Sequence, residues 1–379
     1  MKKKILLTNF NMCVGGVERV LINLLNNIDY SKYDVTLYLQ FKEGDFLDKV
    51  NKNVKVKGYD LSTNKNKIIR KIINGLKYVK ILISNYNKYD FAGCFSPPGN
   101  IYSAYLVKFG SKNNAIWMHT NIINNVKADK KLDKKYSMYS TAEEKAKAYL
   151  EEFKFREFKK NVFISQNALD AYLSLYPEDK DKCVLCRNII NYEEMFELSK
   201  EKIKEKFTKK EILFLNVSRH TEHDKKLTRL IDACEKLSKD YKFKVIFIGD
   251  GEEHAHYKEL VKEKNIEDYV VFLGKKTNPF PYYKNADAFV LTSQFEGFPT
   301  VFSESMVMNL PIITTDVSDA KDMIDGKYGI VVENSADGVY KGMKEFLDKG
   351  FKIKKKFDPE KLNANSMQML ERLFNNEEN

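Results

Sequence analysis

Two carboxylates stand eight positions apart in "QFEGFPTVFSESMVMNLP" (residues 294–311), where neighbouring residues are apolar or small. Glu296 falls in a loop punctuated by Gly297 and Pro299, and Glu304 falls one turn into the helix that follows. The strand-like run "AFVLTS" ends at Ser293, just before them, and Pro299 suits the first turn of a helix. Backbone N–H groups at Thr300 and Val301 would then point out of the helix start, which makes an anion site fit for a diphosphate. A carboxylate has two acceptor oxygens, so Glu296 suits the hydroxyls of a sugar and Glu304 the paired hydroxyls of a ribose. The plainer alternative is that Glu304 complements the helix dipole and Glu296 is a surface charge.

A second cluster lies in "SRHTEHDKKLTRLI", where Arg219 and Lys225 flank a turn between a strand and a helix. Two cations there suit a diphosphate, and a solvated basic loop is the ordinary alternative. In "NMCVGGVERV", Gly15 and Gly16 join the first strand to its helix and let backbone approach a ligand closely, without the full G-x-G-x-x-G pattern. Glu18 follows in the first helical turn, where dipole compensation is enough to explain it. Other arrangements carry less. Cys183 and Cys186 have CxxC spacing with no second pair, and Asp179–Asp181 form an isolated DxD in a polar loop. His220, His223, His254 and His256 form two close pairs in one half without HExxH spacing, so a metal is not expected.

The elements that must position these residues alternate short apolar runs with longer helical patterns, the mark of an α/β protein with parallel sheets. "KILLTN", "DVTLYLQ", "FAGCFS", "NAIWMH" and "NVFIS" read as strands of a first half. After a pause around residues 184–205 the alternation restarts with "ILFLNVS", "KVIFIGDG", "VVFLG", "AFVLTS" and "PIITTD". The expected domains are 1–187 and 188–357, with a helix over 358–379. Ligands of such sheets bind at the carboxyl ends of the strands. The segment 64–88 is basic and amphipathic, with Ile68, Ile69, Ile72, Ile73 and Leu76 on one face. It is either a helix covering a sheet or an interfacial contact with a membrane.

Composition narrows the partners. A net charge of +11 favours anions such as nucleotides, phosphates or a negative membrane surface, and no nucleic-acid-binding module is recognisable. Five cysteines without dense spacing fit a reducing compartment. "MKKKILLTNF" is too short in its apolar run for a signal peptide, so a first strand after a basic tail is expected.

Taken together and in order, "GGVERVLINLL", "SRHTEHDKKLTRLIDA", "FIGDGEE", "VVFLGKKTNPFPYYKNADAFVLTS" and "EGFPTVFSE" resemble glycosyltransferase family 4, retaining enzymes of the GT-B fold. The resemblance is dense over 213–325 and thinner before it, anchored there by "WMHTN", "NVFISQNALDAY" and "VLCRNII". It implies two Rossmann-like domains facing a cleft, with the C-terminal helix returning to the first domain. It implies that Arg219 and Lys225 hold a donor diphosphate together with the N–H groups of Thr300 and Val301, and that Glu304 holds the ribose. Glu296, with backbone at Gly297 and Phe298, would hold the transferred sugar, and the base would lie near Phe272, Gly274 and Lys276. Gly15 and Gly16 match the N-terminal glycine-rich loop, and His119 matches a histidine near the anomeric centre. Two departures stand out: the usual Lys-Gly is Lys225-Lys226, and the usual Asn-Pro of the linker is Asn188-Ile189.

The expected activity is transfer of a hexose from a nucleotide sugar, a UDP-sugar first and a GDP-sugar second. The acceptor would be a glycan or lipid-linked glycan of a surface-polysaccharide pathway. No cofactor and no metal is expected. The expected location is cytoplasmic, with contact to the inner face of the plasma membrane as the membrane reading of 64–88. The rivals are a nucleotide-sugar epimerase of the same fold and a non-catalytic sugar-nucleotide- or glycan-binding subunit.

Overall fold

The computed structural model describes residues 1–377 apart from 14, 97–100, 206 and 208–210. Val14 of the glycine-rich loop therefore lies outside the described residues. The chain divides into two units, residues 1–190 with 360–379, and residues 191–359. Both divisions fall a few residues beyond the expected 187 and 357, because the linker segment is tied to the first unit. Asn23 Nδ2 donates to Ile189 O (3.0 Å), and Asn363 exchanges two hydrogen bonds with the backbone of Ile190 (2.9 and 2.8 Å).

In chain order the first unit holds β1 (Lys3–Asn9), α1 (Gly16–Asn27), β2 (Tyr33–Leu39), β3 (Lys55–Gly58), α2 (Lys67–Asn85), β4 (Phe91–Cys94), α3 (Ile101–Gly110) and β5 (Asn114–Met118). It continues through α4 (Ile122–Ala128), α5 (Lys130–Lys135), α6 (Ala142–Glu152), β6 (Lys160–Phe163), α7 (Gln166–Leu175) and β7 (Cys183–Leu185). The second holds α8 (Tyr192–Leu198), β8 (Ile212–Val217), α9 (Leu227–Leu237), β9 (Phe243–Ile248), α10 (His254–Glu263), β10 (Val270–Phe272), α11 (Phe280–Asn285) and β11 (Ala288–Leu291). It closes with α12 (Thr300–Val307), β12 (Ile312–Thr315), α13 (Ala320–Met323), β13 (Gly329–Val332) and α14 (Ala336–Lys349), after which α15 (Pro359–Asn375) joins the first unit.

Every pairing between these strands is parallel. The first sheet runs β3-β2-β1-β4-β5-β6-β7 and the second β10-β9-β8-β11-β12-β13. Strands buried on both faces read as continuous apolar runs, as "ILFLNV" and "AFVL" do. In each sheet the strand order reverses once, at β1/β4 and at β8/β11. Loops leaving adjacent strands there diverge onto opposite faces and open a crevice at the carboxyl ends. The loop after β8 carries Arg219 and Lys225, and the loop after β11 carries Glu296. Topology alone therefore makes these two loops neighbours.

Candidate active site at the β8/β11 switch point

The two loops are sewn together by hydrogen bonds. Gln294 N–H donates to Asp224 O (2.7 Å) and the Thr292 hydroxyl to Lys225 O (2.8 Å). Arg229, in the first turn of α9, donates to Thr292 O (3.2 Å) and Asn334 Oδ1 (2.6 Å), and also to Gln294 Oε1. Asn334 in turn donates to Gln294 O (3.1 Å), Thr315 to Ser293 O (2.7 Å), and Ser318 to Gly297 O. A guanidinium that bridges several acceptors in a fixed plane holds a loop far better than a single contact does. The consequence is a rigid seat for Glu296.

On that seat Lys225 Nζ donates to Glu296 Oε1 (2.6 Å), and the Ser293 hydroxyl donates to the same oxygen (2.7 Å). Both side chains of the ion pair are largely buried, 16% and 13% exposed, so the pair is weakly screened. An ammonium has three donors, and one is committed to Glu296. Arg219 is placed differently. Its side chain is 76% exposed, with Nη2 3.5 Å from Asp224 Oδ2. One of the two cations is thus seated in the loop, and the other extends into solvent.

Glu304 is buried on α12 and accepts from the Tyr283 hydroxyl (2.7 Å). Tyr283 itself stacks on Phe289 of β11 at 5.5 Å, which fixes the ring. Pro299 is not inside the first turn of α12 but just before it, with φ −66° and ψ 117°, and the Phe302 N–H turns back to its carbonyl (3.1 Å). Extended ψ at that position keeps Pro299 out of the helix, so Thr300 is the first helical residue. The N–H groups of Thr300 and Val301 have no acceptor within the helix, by its geometry.

The loops after β8, β9 and β10 are also joined. Ser218 N–H donates to Ile248 O (3.0 Å), His220 N–H to Asp250 O (3.0 Å), and Gly249 N–H to Gly274 O (3.0 Å). Gly249 has φ +143°, and a Cβ there would stand 1.8 Å from Ser218 O, so only glycine permits this approach. Of the four histidines, His220 and His254 do meet, Nδ1 to Nδ1 at 2.7 Å. Burial and the neighbouring His254 press the His220 imidazole down to about 4. Among the described residues no group of three His, Cys, Asp or Glu stands together as a metal would need.

Residues 199–363 match the family described as glycosyl transferases group 1. This stretch contains the Lys225–Glu296 pair, Arg219 and Glu304. Over this segment the chain is similar to group 1 glycosyl transferases. The chain is 31% identical over 173 residues to the uncharacterized glycosyltransferase MJ1059 of Methanocaldococcus jannaschii, covering 41% of this chain and 42% of that one. It is 29% identical over 189 residues, 48% of this chain and 49% of the relative, to a Campylobacter jejuni N-acetylgalactosaminyltransferase acting on N-acetylgalactosamine-N,N'-diacetylbacillosaminyl-diphospho-undecaprenol. The chain thus spans about half the length of these curated relatives. Among solved structures, the Anabaena HepE complex with UDP and glucose superposes with a TM-score of 0.71 at 15% identity, over 97% of this chain and 99% of that one. The lipopolysaccharide outer core galactosyltransferase WaaB superposes at 0.65 and 18% identity, over 98% and 97%. The fold is GT-B, with two Rossmann-like α/β units.

The group 1 segment holds other expected residues in less open settings. Phe272 stacks on Phe247 at 4.9 Å and meets His254 at 5.5 Å and His220 at 5.9 Å, so its ring is already engaged. Gly274 has φ +67° with nothing near its missing Cβ, and Lys276 pairs with Glu205 at 3.0 Å. Gly297 and Phe298 lie on the Glu296 loop, Phe298 buried and Gly297 held through its carbonyl by Ser318. Outside the segment, Gly15 is extended and Gly16 would seat a Cβ with nothing within 4 Å, so local sterics do not require glycine at Gly16. His119 is buried after β5, with Nε2 2.8 Å from Phe95 O. A carbonyl only accepts, so Nε2 carries the proton and Nδ1 is the acceptor. Burial first of all holds this imidazole near 4, hence neutral.

Several residues that hold these loops and carboxylates were not singled out in the sequence: Ser293, Tyr283, Arg229, Asn334 and Ser318. Ser293 ends the run "AFVLTS" three residues before Glu296, a signal that could have been used. Tyr283 and Asn334 reach the site only through tertiary packing. Asp179 of the DxD is a structural anchor: Arg156 donates to both its oxygens (2.7 and 3.2 Å) and holds its carboxyl down to about 2.

Proposed function

We propose that this chain is a retaining glycosyltransferase that moves a hexose from a nucleotide sugar, a UDP-sugar foremost, to a glycan or lipid-linked acceptor in cell-surface polysaccharide assembly. The observation that carries the reading is the buried Lys225–Glu296 pair, shared with Ser293, on neighbouring loops at the β8/β11 switch point of a group 1 segment. Similar proteins support the donor and acceptor classes: HepE is seen in complex with UDP and glucose, and the Campylobacter enzyme is named for a diphospho-undecaprenol-linked acceptor. The proposed place of action is the cytoplasm.

In this reading Lys225, the exposed Arg219 and the Thr300 and Val301 N–H groups take the diphosphate. Positive charge fixed before the reaction stabilises the leaving phosphate as its charge grows. The leaving group departs first, and the acceptor hydroxyl then attacks the same face while the phosphate takes its proton. Glu296, already desolvated and held by two donors, orients the sugar, and Glu304 the ribose. His119 acts as a neutral acceptor through Nδ1. Since side chains and a helix start supply the positive charge, transfer is proposed to need no divalent cation, and activity should survive EDTA.

The test pairs binding with turnover. Glu304→Ala should weaken binding of the preferred nucleotide sugar by about tenfold, the size of one lost charge-assisted hydrogen bond of ~1.5 kcal/mol. Arg219→Ala with Lys225→Ala should abolish transfer while circular dichroism is unchanged. Retained turnover in the double variant would remove the phosphate-site assignment. Product analysis with and without a glycan acceptor separates transfer from epimerisation.

A further inference from the structure

The helix α2 turns its apolar stripe away from the protein. Ile68, Ile72, Leu76, Val79 and Ile83 are 72, 58, 68, 51 and 72% exposed, and Tyr86 just beyond is 67% exposed. Their spacing of three and four places them along one side of the helix. This overturns the reading of that face as one that covers a sheet. A different face does the packing: Tyr78, Ile81 and Leu82 lie against the core of the first unit. Tyr78 meets Tyr59 at 6.0 Å and Tyr102 at 4.8 Å, and its hydroxyl donates to Tyr102 O (2.8 Å). The helix is thus anchored from behind and capped by Asn66, which accepts from Ile68 and Ile69 N–H. The exposed stripe continues onto α3, where Phe109, 43% exposed, meets Tyr86 edge-on at 6.2 Å.

The charge around the stripe has one sign. Between Leu61 and Tyr89 there are seven basic residues (Lys65, Lys67, Arg70, Lys71, Lys77, Lys80 and Lys88) and no acidic one. At about 100° per residue, Lys71 borders one side of the stripe and Lys80 the other. Among the described residues no helix is long and apolar enough to cross a membrane, so α2 can lie on a bilayer but not through it. A second copy of this face would set like charges against each other, which disfavours a self-association surface.

We propose that α2 docks this protein on an anionic lipid bilayer, lying in the interface with Ile68, Ile72, Leu76, Val79 and Ile83 immersed. Lys71 and Lys80 meet the headgroups. The docking does not depend on the donor-site reading, since none of these residues belongs to it. Apolar insertion and attraction to anionic lipid act together in such helices, each cation near the surface contributing about 1 kcal/mol.

The experiment is flotation of the full chain with vesicles of phosphatidylcholine alone or with about 30% phosphatidylglycerol, a composition with a strong negative surface potential. The chain is expected to float with the anionic vesicles, to stay behind with the neutral ones, and to be released by added salt. Ile72→Glu with Leu76→Glu should weaken partitioning by more than about tenfold, since it removes immersed area and adds repulsion. Lys71→Glu with Lys80→Glu should weaken it too, and these exposed positions leave the fold intact by circular dichroism. The proposal is overturned if the wild-type chain ignores both vesicles, if neutral vesicles bind it equally, or if the variants float as well as it does. It is also overturned if sedimentation without lipid shows a dimer that the Ile72→Glu, Leu76→Glu variant dissolves, since the face would then serve a protein partner.

Discussion

Lys226 holds a left-handed backbone, φ +50° and ψ 47°, at the entry to α9. The pattern this segment resembles carries glycine at that position, and the reason is now geometric. A left-handed residue with a Cβ costs roughly 1–2 kcal/mol, a cost glycine escapes. Lys226 has no capping side chain, and Glu222 does that work instead, accepting from Thr228 N–H (3.2 Å) while the Tyr257 hydroxyl donates to it (3.1 Å). Lys226→Gly should therefore hold or raise the melting temperature, the relieved strain offsetting the ~0.5–1 kcal/mol of chain freedom glycine adds. Lys226→Val, β-branched and poorly suited to positive φ, should lower it. A denaturant titration of the two variants decides it, and a Gly variant less stable than Val would refute the account. At this scale the sequence was most legible where residue type and spacing coincide. Glu296 and Lys225 stand out in their motifs with no sign that they pair, and topology brings them to 2.6 Å. Ser293 and Tyr283, which complete the two carboxylate sites, were not, because serine and tyrosine are too common to signal by type alone.

Elements respond to pH through buried histidines. His119 follows β5 and His220 follows β8, both neutral with imidazoles held near 4 by burial. His220 faces the His254 ring, with Asp250 beside the pair, and its Nε2 is buried without a partner among the described residues. The folded state therefore refuses a proton that the unfolded chain takes near 6.5. Stability from this source is complete above 6.5 and is lost as pH falls toward 4, each histidine removing up to about 1.4 kcal/mol for every pH unit crossed in that window. The urea midpoint should drop across that window, and His220→Gln should flatten the drop. An unchanged slope would exclude His220 as a contributor. Element legibility followed burial. Strands buried on both faces announced themselves, whereas β3, "KVKG", and β13, "GIVV", did not. Both are short sheet edges, half in solvent, and β3 alternates lysines. The segment 64–88 was legible as an amphipathic helix, but periodicity cannot say which of two faces meets the core. Tyr78, Ile81 and Leu82 settled that through contacts no spacing rule contains.

For the molecule as a whole, α15 belongs to the first unit though it follows the second in the chain. Phe374 is buried against Tyr33 (5.3 Å) and Phe91 (5.1 Å), and Asn113 Nδ2 donates to Leu373 O (2.9 Å). Phe374→Ala should destabilise the first unit by about 3–5 kcal/mol, the usual loss for a buried phenylalanine, read as a lower thermal transition of the full chain. An unmoved transition would mean that α15 covers the sheet without supporting it. The two-unit plan was legible because the strand–helix alternation pauses once and restarts. The return of α15 came from resemblance and not from pattern, since an amphipathic helix does not name the surface it covers.

That return has a temporal side. On the ribosome, residues 191–359 emerge with all their own strands and helices and can close as soon as they are out. The unit whose synthesis begins first must instead keep the Phe91 and Tyr33 face uncovered until α15 arrives. Domains commonly complete in the order they are made, and exposed apolar surface invites aggregation in the interval. Here the order inverts: the second half finishes early, and the first half stays open until α15 is delivered.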